Sequence, residues 1–153
     1  MLTTRTAHTI VGACITAAVL GACASVPMAS PDADIQAKQF QPPSAGQATL
    51  YVFREGIFGA AIALNASLGP RMLGQLGPDN YFRVDLQPGD YDMRCSSTEN
   101  SRSTTVSVAT GETRFVEVAA RIGLGAARCA VFEVPEQQGR SAIAHSKRAA
   151  EIR

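Results

Sequence analysis

The feature that most constrains the fold is a series of short apolar segments that recurs between residues 47 and 135, separated by turns rich in Gly and Pro. These segments return every eight to twelve residues or so, and no long amphipathic helical period interrupts them. The clearest is residues 81–86, where every second side chain is apolar. The pattern predicts an all-β fold: a small antiparallel β-sandwich followed by a short C-terminal helix or tail over residues 136–153.

One predicted strand differs from the rest. Residues 48–53 carry apolar side chains on both faces, which indicates a central strand covered on each side and therefore a second layer. The other predicted strands are about residues 60–67, 71–76, 81–86, 90–95, 104–108, 114–121 and 128–134.

The segment of residues 56–68 contains no charged side chain. We interpret it as a glycine loop that leads into a core strand, since it is too short to span a bilayer. The alternative is that it lines a cavity for an apolar ligand.

Composition excludes several classes of function. The chain has 14 Lys and Arg against 13 Asp and Glu, without a basic cluster, so we expect no nucleic-acid partner. Its 46% hydrophobic content is too high for a disordered chain. Two histidines and no tryptophan provide little material for catalysis, so we expect no cofactor, no metal and no enzymatic activity.

The N-terminus has the pattern of an export signal. Arg5 precedes an apolar run over residues 9–20, which is the length of a signal-peptide core and shorter than a bilayer span. Residues 1–22 are therefore predicted to be a cleaved signal peptide.

The apolar run ends in Leu20-Gly21-Ala22-Cys23, which resembles the lipobox of bacterial lipoproteins. The resemblance implies cleavage after Ala22 and lipidation of Cys23, which would attach the mature chain stably to a membrane. The residue after Cys23 is Ala24 and not an aspartate. In lipoproteins this implies delivery to the periplasmic face of the outer membrane. The alternative is a plain secretory signal with a cysteine at this place by chance.

Between the lipobox and the first strand, Pro, Ser, Asp and Gly interrupt any regular period. Residues 23–46 are therefore predicted to be the lipidated cysteine and a mostly flexible tether, in which residues 35–40 could form one helical turn or pack Phe40 on the domain. A random coil of this length reaches about 25 Å.

A second resemblance covers residues 47–139 and rests on the order and spacing of common elements. The segments that carry it are residues 48–54, Gly74, Asn80-Tyr81-Phe82, Leu86-Gln87-Pro88-Gly89-Asp90-Tyr91 and residues 136–139. Together they resemble the DUF2846 family of uncharacterised bacterial lipoproteins. The resemblance implies a transthyretin-like or carboxypeptidase-regulatory-like β-sandwich and no activity.

Two cysteines, Cys95 and Cys129, remain in the predicted domain of residues 47–135. Both lie on apolar strand faces, and export would place them in an oxidising compartment. We predict a Cys95–Cys129 disulfide, with two separate buried thiols as the alternative.

Candidate catalytic groups are few. His145 is the only histidine after residue 22, and it lies in the predicted C-terminal helix or tail. Glu117 and Glu133 on neighbouring strands are the first candidates for a carboxylate-dependent hydrolase of an envelope polymer.

These observations favour a cell-envelope lipoprotein that acts as a non-catalytic binding or structural module. Its expected partners are the membrane, through the lipid anchor, and an unidentified envelope protein or polymer. The alternatives are a carrier of lipid or another apolar ligand, and the hydrolase that would use Glu117 and Glu133.

Overall fold

A computed structural model describes residues 26–152 of the chain, so Cys23 and the predicted signal peptide lie outside the described residues. Strands dominate the described part. In chain order the elements are α1 (Pro31–Ala37), β1 (Ala48–Arg54), β2 (Leu64–Leu68), β3 (Arg71–Leu76), β4 (Asn80–Leu86), β5 (Gly89–Ser96), β6 (Ser101–Val108), β7 (Thr113–Arg121), β8 (Arg128–Val134), α2 (Glu136–His145) and β9 (Lys147–Arg148).

The strands form two sheets, with the orders β8-β7-β1-β4-β9 and β3-β2-β5-β6. This confirms the predicted all-β sandwich with a short C-terminal helix, but the prediction that its strands are antiparallel is wrong for two pairs. The five-stranded sheet is mixed, because β1 pairs with β7 in parallel and β4 pairs with β9 in parallel. These partners lie far apart along the chain, so no hairpin forces them to be antiparallel.

Strand β1 lies at the centre of the molecule, and all seven of its residues are buried. Leu50 and Val52 face the other sheet in the main core. Tyr51 and Phe53 face outward into a second cluster, which α2 covers with Ile143. The predicted two-sided burial of this strand is therefore confirmed, since one face is covered by a sheet and the other by helices.

The prediction of a flexible tether over residues 23–46 is wrong from residue 26 onward. Within this segment residues Pro31–Ala37 form α1, which packs on the sheet. The Ser30 side chain caps the helix by accepting a hydrogen bond from the Ala33 N–H at 3.3 Å, and Pro31 follows it. Ser and Pro interrupt a helix in its interior, but at its first positions they favour it. Ser30 and Pro31 are therefore helix-start signals, although they were interpreted as residues that interrupt regular structure.

The two ends of the described chain lie side by side. Met28 bridges Ala149 in antiparallel fashion, and the Ala150 N–H donates to the Pro27 carbonyl at 2.9 Å. Val26 is buried in the main core with 7% of its surface exposed. The predicted division at residue 47 therefore does not hold, since residues 26–46 belong to the folded unit.

Neither helix within residues 26–152 has the length and apolarity needed to cross a membrane.

Candidate functional site

Two loops meet at the end of the sandwich where β1 and β7 finish, namely residues 55–63 and residues 122–127. They border an open surface groove of about 410 Å³. Their large apolar side chains are exposed to solvent. We call the surface formed by four of them the apolar end: Ile57 (79% exposed), Phe58 (54%), Ile122 (81%) and Leu124 (103%).

Arg54, the last residue of β1, holds the first loop in place. Its side chain is 1% exposed, and its guanidinium donates hydrogen bonds to four backbone carbonyls. Phe58 and Gly59 accept at 2.9 and 2.8 Å, Leu76 accepts at 3.1 Å, and Ile62 is the fourth acceptor. Burial lowers the pKa of Arg54, although an arginine keeps its charge in proteins.

These bonds correct a predicted boundary. The strand expected over residues 60–67 begins instead at Leu64, because the carbonyls before it turn toward Arg54 and do not pair with a neighbouring strand. The rest of the uncharged segment lies in the main core through Leu64, Ala66 and Leu68. This segment therefore divides into an exposed loop and a packed strand.

Glu99 holds the second loop through its carboxylate. One oxygen accepts from the N–H groups of Gly125 and Ala126 at 2.6 Å each, and the other from Leu124 at 3.1 Å. These backbone hydrogen bonds lower the pKa of Glu99 below its ordinary value. A Cβ on Gly123 would collide with this carboxylate and with the Ala126 carbonyl, so the loop needs glycine at that position.

The disulfide between Cys95 and Cys129 lies at the base of the same loop and confirms the predicted pairing. It joins β5 of one sheet to β8 of the other, with 6.2 Å between the Cα atoms. Asn100 strengthens the junction, because its side chain donates to the Cys129 carbonyl at 2.9 Å and accepts from the Cys129 N–H at 2.7 Å. The disulfide and Asn100 therefore stabilise the base of the second loop.

Glu117 and Glu133 do not form a carboxylate pair. In the β7–β8 register Glu117 lies opposite Phe132, and Glu133 lies opposite Val116, so the two acids project from opposite faces of the sheet. Burial raises the pKa of Glu117. Glu133 approaches the Arg114 guanidinium at 3.9 Å.

The candidate histidine and two ion pairs lie at or near the surface. His145 is exposed at the end of α2. Arg83 and Asp85 form an ion pair at 2.7 Å, and Arg94 and Asp92 form another at 3.0 Å. Among the described residues, no group of three or more His, Cys, Asp or Glu side chains is arranged to hold a metal ion.

Asp34 on α1 is the centre of a polar contact that the sequence analysis missed. Its carboxylate accepts from the Tyr81 hydroxyl at 2.8 Å, the Arg148 N–H at 2.9 Å and the Lys38 ammonium at 2.8 Å. Beside it, the Tyr51 hydroxyl donates to a helix carbonyl at 2.7 Å. These contacts fasten α1 to the outer face of the five-stranded sheet.

The apolar end itself was not predicted from the sequence. A signal was present, because residues 122–127 contain no charged side chain and are bordered by Arg121 and Arg128. Because strands are predicted on both sides of residues 122–127, these residues were interpreted as a simple turn between them. Only the fold brings this turn beside residues 55–63.

Comparison with known proteins adds one relative. The chain is 28% identical over 127 residues to an uncharacterized protein of Haemophilus influenzae, which covers 83% of this chain and 76% of the relative. A match of that length extends beyond residues 47–135, so the likeness includes more than the predicted sandwich. No protein-family model matches the sequence.

Proposed function

We propose that the protein is a cell-envelope lipoprotein, anchored through Cys23 at the periplasmic face of the outer membrane, and that its β-sandwich is a non-catalytic binding module. The apolar end is its binding surface. The observation that carries this proposal is that two separate polar residues, Arg54 and Glu99, hold large apolar side chains out in solvent. Exposed apolar patches on folded domains mark contact sites for other molecules.

Hydrogen bonds with Arg54 and Glu99 already order both loops of this surface, which favours a binding role over a structural one. A loop that is already ordered loses little conformational entropy when a partner covers it. The first loop is ordered by three bonds from Arg54, and the second by three bonds to Glu99 above the disulfide.

The buried position of Val26 also changes the expected role of the anchor. Only Ala24 and Ser25 separate Cys23 from this core residue. Three residue steps span at most about 10 Å, compared with the 25 Å or so expected of a flexible tether. A lipid on Cys23 would therefore hold the sandwich directly against the headgroups.

The two alternatives receive less support from the geometry. A hydrolase with paired carboxylates needs both acids within one cleft, whereas Glu117 and Glu133 lie on opposite faces of the sheet. A carrier needs an enclosed apolar cavity, whereas Leu64, Ala66 and Leu68 are packed in the core.

Replacement of Cys23 tests the anchor. We expect Cys23→Ser to abolish incorporation of labelled fatty acid and to move the protein out of the membrane fraction. Cys14→Ser is the matched control, because it makes the same change within the predicted signal peptide. Cys23→Ser protein that still incorporates fatty acid would contradict the proposal.

Photo-crosslinking in intact cells tests the binding surface. A photoreactive residue at position 124 should form crosslinks to an envelope component. One at position 87 is the control and should form few. Gln87 follows the last residue of β4, whereas the apolar end lies beside Asn80, the first residue of that strand. Equal crosslinking at the two positions would contradict a binding role for the apolar end.

A further inference from the structure

Several backbone polar groups of the two loops at the apolar end are bonded to side chains of the protein itself. The N–H groups of Leu124, Gly125 and Ala126 are bonded to Glu99. On the facing loop, carbonyls at Phe58 and Gly59 are bonded to Arg54. Backbone that leaves water must keep such bonds internally, because hydrocarbon offers none.

The shape of the apolar end fits a soft apolar phase better than a shaped pocket on a protein. Leu124 is fully exposed, and Ile57 and Ile122 are each about four-fifths exposed. These side chains therefore stand outward from the surface. A bilayer interface accepts projecting apolar side chains without a complementary cavity.

The charge pattern also matches a lipid surface. Residues 56–63 and 122–127 contain no charged side chain. The acids beside them are Glu55, at the start of the first loop, and Glu99, whose carboxylate is bonded to three N–H groups of the second. Arg121 and Arg128 form the last cross-strand pair of β7 and β8 at the base of the second loop, and both are exposed. Neither forms an ion pair with another described residue, and long arginine side chains reach readily to lipid phosphates.

We propose that the apolar end inserts into the interfacial layer of an anionic bilayer, with the side chains of Ile57, Phe58, Ile122 and Leu124 below the phosphates and the Glu99 carboxylate, held by three loop N–H groups, at phosphate depth. Arg121 and Arg128 then lie at phosphate depth. This inference names the bilayer as the partner of the binding surface, and in the cell it rests on the proposed function, which holds the domain against the headgroups. The contact itself requires no lipid on Cys23.

The absence of tryptophan from the sequence makes the test direct, since one introduced tryptophan is the only indole. The probes are Leu124→Trp and, as a control at the other end of the sandwich, Gln87→Trp. Both are placed in a chain that begins at residue 24, which retains every described contact and cannot be lipidated at Cys23. With vesicles of phosphatidylethanolamine and phosphatidylglycerol, Leu124→Trp emission should shift to shorter wavelength and be quenched by brominated acyl chains. Gln87→Trp should show neither effect.

Matched substitutions identify the side chains responsible. In the Leu124→Trp chain, Ile122→Ser should lower vesicle affinity about tenfold, the expected effect of losing one buried aliphatic side chain. Ile35→Ser removes an isoleucine of similar type that is 61% exposed on α1, and should leave the affinity unchanged. Replacing both Arg121 and Arg128 with Gln should remove the preference for phosphatidylglycerol over phosphatidylcholine.

Failure of this proposal can be told apart from failure of the anchor. If Leu124→Trp is not quenched by brominated lipid, or is quenched no more than Gln87→Trp, the bilayer is not the partner. A protein partner would then account for crosslinks at position 124. Because the assay uses a chain without Cys23, its result does not depend on lipidation.

Discussion

Glu99 is an exposed acid whose charge stabilises a loop of the protein. Three backbone N–H groups of a loop 25 to 27 residues away converge on its carboxylate. They favour the ionised form, which is why the pKa of Glu99 lies below its ordinary value of 4.5. Gly123 lies so close to this carboxylate that it has no room for a side chain.

We predict that Glu99→Gln loosens the second loop, because an amide accepts fewer and weaker hydrogen bonds than a carboxylate. Amide hydrogen exchange at Leu124, Gly125 and Ala126 should become faster. Because the pKa of Glu99 is lowered in the fold, its contribution is complete at neutral pH and is lost as the pH falls through that lowered pKa. Glu55→Gln, an exposed acid beside the other loop, is the control and should leave these amides unchanged.

Asp34 also stabilises the fold through its charge, because its carboxylate holds α1 on the outer face of the five-stranded sheet. Burial by itself would raise the pKa of Asp34, but hydrogen bonds from Lys38 and Tyr81 outweigh it, so the pKa falls below the ordinary 3.8. Its contribution to stability is therefore present at neutral pH and is lost as the pH falls through that lowered pKa.

We predict that Asp34→Ala lowers the free energy of unfolding by about 2 kcal/mol, because the Tyr81 hydroxyl and the Arg148 N–H lose their acceptor. Urea denaturation measures this loss. Asp32→Ala, an exposed acid in the first turn of the same helix, should change stability far less. Equal effects of the two substitutions would show that α1 is held by apolar packing alone.

At the scale of elements, α2 approaches the sheet more closely than an ordinary helix can. Gly139 lies against the Phe115 side chain, and a Cβ added there would lie 2.4 Å from two of its ring carbons. The backbone of α2 therefore packs directly on the ring. Phe115 itself stacks on Tyr51, with ring centroids 5.2 Å apart.

We predict that Gly139→Ala destabilises the protein by about 2 kcal/mol, as over-packing does, although alanine has the higher helix propensity. Thermal unfolding measures the change. Ser141→Ala, at an exposed position of the same helix, is the control and should change stability little. An increase in melting temperature for Gly139→Ala would mean that α2 shifts outward at no cost.

The strands were the most predictable elements. Strands β3 and β8 occupy residues 71–76 and 128–134, as predicted, and β1 extends one residue further than predicted. Period-two patterns and turn residues are local signals, so they survive whatever the chain packs against. Of helix α1, only a single turn over residues 35–40 was considered, because seven residues provide little periodicity and packing on the sheet is what stabilises them.

For the whole molecule, the disulfide links the two sheets and closes a loop of 34 positions. We predict that replacing both Cys95 and Cys129 with Ala lowers the free energy of unfolding by about 4 kcal/mol, from the chain-entropy model. Urea denaturation of the double variant measures this loss, and unfolding of the reduced wild-type chain provides a second estimate. A loss below about 1 kcal/mol would show that sheet packing alone holds the halves together.

By itself the sequence determined the all-β class, the positions of most strands and the pairing of Cys95 with Cys129, because alternation, turn residues and paired apolar cysteines are visible along the chain. The start of β2 at Leu64 and the short strand β9 were not predicted. The tertiary structure alone decided which side chains meet. Strand register placed Glu117 and Glu133 on opposite faces, and the meeting of distant loops brought Glu99 to the backbone beyond Gly123. These contacts depend on the relative position of segments tens of residues apart, and no local pattern records that distance.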